Sequence, residues 1–499
     1  MLSKLKKTIK HSIIYSLGNL SSKLVGLILL PLYTEYLTTS EYGILALLEV
    51  TSQILILMLG LNLSTAMLRW CSAEKDENRK RSIVFTISFS TVIISLLSLI
   101  FLLPFVDFFS ELFFDHNRYS NYFTILFFSI AFGILNLLPL SLIRVQEKST
   151  FFVVVTTLKF TIILILNIYF IAFLQMGVEG VILGQLIGQI LFTLVTLPFM
   201  IRNSSTKFDL ITLKHMISYS FPLVFSSLFA MLLSMGDRYI LKILSTLSDV
   251  GIYSLGYKVA SFINVFIIHS FQLGFLPLAF KYAEQNDSKR FFSKIQTYFT
   301  LLLVLSALAL SIFSLEIVEV FTSDESYLSS YLIIPFISFA FVLKGMEYVF
   351  SLAFHQMKIT KYNAIIVITS ALLNIGLNFL LIPIYGVFGA AISMIISYSL
   401  MSFLSYFFAQ RVYFIPFEKW KLLLLLFLFA LIVSGVFLFV NDFKLFLRIS
   451  IKIIIVVGFP FVLYFFNFYE EIELLRIKQS WHKWRNPKRW RDNIKQFKL

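Results

Sequence analysis

The chain has 499 residues, 58% of them hydrophobic and only 14% charged, with a formal net charge of +15 and a mean hydropathy of +0.86. Soluble domains hold about 45–50% apolar and about 25% charged residues, so lipid must solvate much of this surface. The single cysteine, Cys71, excludes a disulfide within the chain and reads as a small buried hydrophobe.

In lipid every backbone polar group needs an internal partner, which leaves helices or a closed barrel. Barrel strands would alternate in polarity over about ten residues. Here the apolar runs reach about twenty residues, the length of a membrane-crossing helix. In chain order they fall at roughly 11–36, 42–68, 82–106, 121–144, 150–174, 177–201, 215–240, 250–280, 295–321, 328–355, 362–383, 386–410, 420–440 and 446–468. The predicted fold class is therefore an all-α integral membrane protein of about fourteen spans. Lys4, Lys6, Lys7 and Lys10 before the first run imitate a signal peptide. No small-residue cleavage site follows, so the run reads as a retained span.

Cations set the expected orientation. Arg69, Lys75, Arg79, Lys80, Arg81, Arg144, Lys148, Arg202, Lys207, Lys289, Arg290 and Arg411 fall with the N-terminal lysines and the basic tail on one side. Arg118, Arg238, Lys242, Lys444 and Arg448 fall on the other, among the acids Asp107, Glu111, Asp115, Glu316, Glu319, Asp324 and Glu325. Under the positive-inside rule both termini are cytoplasmic. The net charge then reports topology, and no nucleic-acid partner is needed to account for it.

Three pairs of motifs repeat at offsets of 208, 210 and 209 residues. Ser40-Glu41-Tyr42-Gly43-Ile44 matches Ser248-Asp249-Val250-Gly251-Ile252. Gln146-x-Lys148 matches Gln356-x-Lys358, and Gly177-Val178-x-Gly180 matches Gly386-Val387-x-Gly389. Six spans separate the copies, so the two halves share an orientation, as in transporters that rock two lobes around a central cavity. The expected division is an N-lobe over 1–205, a C-lobe over 206–412, an accessory span pair over 413–468 and a basic tail over 469–499.

Several spans carry a polar line at steps of three or four, which places each set on one helix face. These lines run through Ser16, Asn19 and Lys23; Glu49 and Gln53; Thr156, Lys159 and Asn167; Ser254, Lys258, Ser261 and His269; Lys344, Glu347 and Ser351; and Ser370, Asn374 and Asn378. A charge at the bilayer centre costs roughly 3 kcal/mol, so such lysines should face a wet interior or a partner. The expected cavity lining is Lys23, Lys159 and Lys258, with Asn19, Gln53, Asn167, Asn374 and Asn378 beside them. Plainer readings stand next to these. Lys344 and Glu347 can neutralise each other, Asp237 and Arg238 can snorkel to the interface, and Lys452 can snorkel or meet an accessory partner. The Ser and Asn lines can simply join helices.

A lysine-lined cavity concentrates anions. The histidines show no metal-binding spacing, and neither a phosphate-binding GxxxxGK[ST] loop nor a G-x-S-x-G elbow occurs. The expectation is a transporter without cofactor or resident metal, with Glu49, His269, Lys344, Glu347, Asp237 and Arg238 as candidates for ion coupling or gating. The Trp481-His482-Lys483-Trp484-Arg485 tail suits an interfacial segment on an anionic leaflet.

The opening resembles the first hairpin of Wzx-type polysaccharide flippases, members of the multidrug/oligosaccharidyl-lipid/polysaccharide exporter superfamily. The resemblance lies in Ser16-Leu17-Gly18-Asn19, Leu30-Pro31-Leu32-Tyr33 and Tyr36-Leu37-Thr38-Thr39-Ser40-Glu41-Tyr42-Gly43, with Asp237-Arg238 and the two Gly-Val-x-Gly starts. It covers spans one to twelve. It implies a flippase of the bacterial cytoplasmic membrane that moves an undecaprenyl-pyrophosphate-linked oligosaccharide for O-antigen, capsule or exopolysaccharide synthesis. Membrane lipids, an H+ or Na+ counter-ion and polysaccharide polymerase or chain-length machinery are the partners it suggests. By position, Lys23, Lys159 and Lys258 are candidates for the cargo anion, and Arg69 and Arg144 for its capture at the mouth. A multidrug or cation antiporter and a murein lipid flippase share the fold. A membrane glycan polymerase or ligase would need a sizeable outer loop, and the outer loops here are short and acidic.

Overall fold

A computed structural model of the chain describes Gly26 and residues 28–282, 287–357, 359 and 361–475. Residues 28–36 are helical. The α-helices that follow are α1 (Thr39–Leu59), α2 (Leu63–Ala73), α3 (Glu77–Leu102), α4 (Val106–Phe114), α5 (Ser120–Val145), α6 (Ser149–Ile168), α7 (Gly177–Arg202), α8 (Leu210–Met235), α9 (Asp237–Leu244) and α10 (Leu247–Ala260). They continue as α11 (His269–Tyr282), α12 (Ser288–Ile312), α13 (Ser314–Phe321), α14 (Ile334–Gln356), α15 (Lys361–Tyr385), α16 (Val387–Val412), α17 (Lys419–Phe439) and α18 (Leu445–Phe465). Among the described residues thirteen helical stretches are long and apolar enough to cross a membrane. They coincide with predicted spans two to fourteen. Most of the first predicted span lies outside the described residues.

Several predicted spans are broken or kinked. The run at 42–68 divides because Leu61 and Asn62 take left-handed backbone conformations, φ 48° and 51°, between α1 and α2. The run at 250–280 passes through a π-helical stretch, Ile263–Ile268, between α10 and α11. Such widened turns reset which side chains share a face and recur at functional sites. The run at 295–321 breaks at Phe313, between α12 and α13.

The repeated motifs have a physical content. Thr38 caps α1 by accepting the Glu41 amide at 3.2 Å, and the Glu41 carboxylate accepts the Thr38 amide at 2.9 Å. Thr246 caps α10 in the same way, accepting the Asp249 amide at 3.1 Å. Each copy thus starts a helix with a side chain satisfying its orphan N–H groups. Gly177 and Gly386 have φ of 57° and 55°, a left-handed turn that lets the chain reverse into α7 and α16.

The first compact unit is Met1–Phe417. In its N-terminal half, α5 packs against α7, α3, α2 and α1; in its C-terminal half, α16 packs against α14 and α15, and α14 against α12. The halves meet chiefly where α1 packs on α10, and α8 touches both α2 and α15. The α3 face with Leu96, Leu97, Ile100 and Phe101 is exposed, as lipid contact requires. The second unit is Glu418–Leu499. In it Lys421 pairs with Glu418 at 2.8 Å. Lys452 is fully buried, so it does not snorkel to a lipid-facing surface.

Candidate translocation cavity

Helices α1 and α10 cross at their N-terminal ends, and the crossing is made of the repeated glycines. A Cβ on Gly43 would stand 2.0 Å from the Leu247 carbonyl oxygen, and one on Gly251 would stand 1.9 Å from that of Thr39. Only glycine allows this approach, the same device that brings membrane helices together at small residues. Ser248 donates to Thr39 at 2.8 Å beside it. Around the crossing further ties join the two halves. Tyr327 donates to the Leu37 carbonyl at 2.8 Å, Thr34 to that of Phe321 at 2.6 Å, and Lys242 pairs with Asp115 at 2.7 Å.

Below the crossing the helices diverge. One turn further along α1, a cavity of about 140 Å³ opens between Tyr42, Ala46, Glu49, Arg238, Ser254 and Lys258. Beyond it lies a larger cavity of about 530 Å³. Its walls carry Gly26, Glu49, Ser52, Gln53 and Ile56 from the start of the chain and α1, Phe160 from α6, and Gln185 and Gln189 from α7. From the other half come Met235, Tyr257, Lys258 and Ser261, then Phe262, Asn264, Val265 and Phe266 where the π-helical stretch begins. Phe262 and Phe266 stack with centroids 3.9 Å apart. The arrangement offers one ammonium, one carboxylate, several amides and flat aromatic faces, a set that can hold an anionic and hydroxyl-rich ligand.

Lys258 sits where the seam between the halves opens into the cavity. Its Nζ lies 5.3 Å from the Tyr33 ring and 5.8 Å from the Tyr42 ring. It interacts electrostatically with the Tyr42 hydroxyl and with the Glu49 carboxylate. On α7, Gln189 donates to Ser129 at 2.9 Å, and its backbone carbonyl accepts from Asn136 at 3.1 Å. Thr193 donates to Asn136 at 2.7 Å, so α5 and α7 hold this wall rigidly.

Of the residues expected at the site, Glu49, Gln53 and Lys258 come together on the cavity, and Arg238 lines its smaller neighbour. Lys159 does not line it. One residue along α6 is a turn of about 100°, so Phe160 faces the cavity while the Lys159 ammonium lies 5.0 Å from the Phe192 ring. Arg69 and Arg144 are exposed, with guanidinium carbons 4.2 Å from the Tyr219 ring and 5.1 Å from the Phe152 ring. Asn167, Asn374 and Asn378 are buried between helices and not on the cavity wall. Asn167 accepts from Tyr33 at 3.1 Å, and Asn378 donates to Asn374 at 3.0 Å. The first bond joins two helices, whereas the second runs along α15 itself.

Asp237 and Arg238 are 2% and 5% exposed, which rules out the snorkelling expected for them. Arg238 Nη1 bonds Asp237 at 3.3 Å and its Nε bonds Ser254 at 3.2 Å, while Tyr253 donates to the other Asp237 oxygen. The pair pins the kink between α8 and α9 onto α10. Glu347 accepts from Ser405 at 3.2 Å inside the C-terminal half, and Lys344 lies 5.7 Å from the Phe341 and Tyr398 rings. His269 opens α11, off the cavity wall. Lys23 and Asn19 lie outside the described residues. Gln185 and Gln189 were missed by the sequence reading, although two glutamines four apart in an apolar span were a visible signal. Among the described residues no group of three or more His, Cys, Asp or Glu could hold a metal.

Two helical halves about a shared cavity define the exporter fold of the multidrug/oligosaccharidyl-lipid/polysaccharide superfamily. A family profile described as "Polysaccharide biosynthesis protein" matches residues 8–283, more than half of the chain, and the chain belongs to that family. A second profile, MatE, matches residues 222–380. No curated protein matches in sequence. Among solved structures the fold is similar to that of the lipid II flippase MurJ in an inward closed conformation, with a TM-score of 0.74 at 16% identity, over 91% of this chain and 99% of that one. It is also similar to an inward-facing multidrug resistance MATE family transporter of the MOP superfamily, with a TM-score of 0.61 at 15% identity, over 80% and 94% of the two chains. The MATE multidrug transporter DinF-BH gives a TM-score of 0.61 at 17% identity, over 81% and 95%.

Proposed function

We propose that the protein is a flippase of the bacterial cytoplasmic membrane. Its cargo is an undecaprenyl-pyrophosphate-linked oligosaccharide for surface polysaccharide synthesis, carried by alternating access. The observation that carries this reading is the cavity itself. It lies between two halves that touch closely at one end, and its wall joins the Lys258 ammonium to the amides of Gln53, Gln185, Gln189 and Asn264. An ammonium suits a phosphate-type anion, and amides with aromatic faces suit sugar hydroxyls and rings. The family's connection with polysaccharide biosynthesis supports the glycan. Both termini lie in the cytoplasm by the distribution of lysine and arginine, so the glycine crossing faces outward and the cavity serves the cytoplasmic leaflet.

The halves rock about the crossing, exposing the cavity to each side in turn. Energy comes from an H+ or Na+ gradient or from consumption of the cargo outside, and the polymerase and chain-length machinery act on the delivered unit. A murein lipid flippase is the second reading, favoured by the fold likeness to MurJ over nearly all of that chain. The test reconstitutes the protein in vesicles and follows a fluorescent undecaprenyl-pyrophosphate oligosaccharide and lipid II separately. Accelerated translocation of the oligosaccharide alone supports the proposal. Translocation of lipid II alone supports the second reading, and translocation of neither refutes both.

A further inference from the structure

A cavity meant for an anion contains a carboxylate, and its placement needs an explanation. Glu49 stands on α1 and Lys258 on α10, so the two come from opposite halves, and both line the small and the large cavity. The other charge on the small cavity, Arg238, is already bonded to Asp237 of its own half. Among the charged lining residues, that leaves Glu49 and Lys258 as opposite charges on the shared wall, contributed by opposite halves one to two turns beyond the glycine crossing. Lys258 is also drawn to the N-terminal half by the Tyr42 hydroxyl and by the Tyr33 and Tyr42 ring faces.

We propose that Glu49 and Lys258 form an electrostatic strap that draws the two halves together at the crossing while the cavity is empty, and that an anion bound to Lys258 loosens it. Opposite charges attract strongly in a poorly screened interior, and a phosphate-type anion on the ammonium competes with Glu49 for the same charge. Removing that attraction lets the crossing open with cargo aboard. Once the anion departs, the attraction returns and the crossing closes. Glu49 acts on the cargo only through Lys258 and is a positioning residue. The second half of the proposal rests on the anionic cargo proposed above; the strap itself does not.

The crossing supplies its own reporter. The Thr39 and Ser248 hydroxyls are 2.8 Å apart, and the native Cys71 is buried. The full-length chain carrying Thr39→Cys and Ser248→Cys is reconstituted in vesicles, and its rate of disulfide formation under mild oxidant measures how often the crossing is closed. Adding Glu49→Gln should slow cross-linking about fivefold or more, the lower range of coupling between linked sites. Glu49→Asp should retain most of the rate. Glu49→Lys with Lys258→Glu should recover it from the level of either single change, which a merely structural role would not produce. Inorganic pyrophosphate should slow the parent and leave Glu49→Gln nearly unchanged. A folded Glu49→Gln protein that cross-links at the parental rate overturns the strap, as does a charge exchange that recovers nothing. Slowing by Glu49→Gln with no response to pyrophosphate in the parent supports the strap and instead removes the anionic cargo reading.

Discussion

Gly43 and Gly251, 208 positions apart in the chain, face each other backbone to backbone, each filling the space where the other's helix would meet a side chain. A methyl group at either position would stand about 2 Å from a carbonyl oxygen that belongs to the helix backbone and cannot swing aside. Overpacking of this kind costs about 1–3 kcal/mol where the surroundings can yield, and here they yield by separating α1 from α10. Gly43→Ala and Gly251→Ala should therefore hold the crossing ajar with little loss of helix content. Increased labelling of a Ser248→Cys probe by a membrane-impermeant thiol reagent checks this. Parental labelling of a folded Gly43→Ala protein would show that the halves do not meet here in the membrane.

The Asp237–Arg238 bracket makes a sharper demand. Removing one member of a buried, hydrogen-bonded ion pair strands the other charge and costs about 3–5 kcal/mol, whereas replacing both by apolar residues is far milder. Asp237→Asn should lower the unfolding temperature in detergent markedly, and Asp237→Leu with Arg238→Met should recover much of it. Equal loss in the single and double variants would mean that the shape of the side chains matters here and their charges do not.

The Asp115–Lys242 tie lies outside the spans and is open to solvent. The Lys242 ammonium, by hydrogen bond and by charge, holds the Asp115 carboxyl below its ordinary value of 3.8. A lowered folded-state value means that the tie is fully present above the ordinary carboxylate range and is lost as pH falls through the lowered one. Between pH 7 and pH 5 the contribution of this pair to cross-linking at Thr39→Cys/Ser248→Cys should stay constant. Salt should weaken it, since exposed pairs beyond about 8 Å are screened at physiological ionic strength and nearer ones partly so. Lys242→Ala should abolish that salt dependence. A pH midpoint near 6 would assign the effect to another group.

Much of this architecture was legible in the sequence because lipid imposes length and polarity on every span. The thirteen described spans fall where apolar runs of about twenty residues predict them, and the repeat motifs mark helix starts through capping residues and left-handed glycines. The site was legible only in part. A line of polar residues at steps of three or four identifies a face, but it does not say whether that face meets water or another helix. Asn374 and Asn378 show the pattern as clearly as Glu49 and Gln53 do, yet they are buried against neighbouring helices. Lys159 missed the cavity by one residue, an angular error that breaks and π-helical turns make unavoidable from spacing alone. The partnership of Gly43 with Gly251 depends on a contact across half the chain, which no local pattern encodes.

The boundary of the cavity can itself be tested through residues on either side of it. Gln53 and Gln185 line the wall, and each presents an amide to the cavity from the N-terminal half. A neutral hydrogen bond contributes about 1 kcal/mol, so Gln53→Leu and Gln185→Leu should each weaken binding of a lipid-linked oligosaccharide roughly fivefold. Gln189 is tied to Ser129, so Gln189→Leu should in addition loosen α7 from α5 and lower thermal stability. Lys159, packed on Phe192 off the wall, serves as the control. Lys159→Met should leave cargo affinity within twofold of the parent, because the charge it removes lies off the cavity wall. Binding measured by quenching of a labelled cargo in detergent reads all four variants on one scale. A loss at Lys159→Met exceeding that at Gln53→Leu would move the cargo path from the α1–α10 seam to the α6–α7 face.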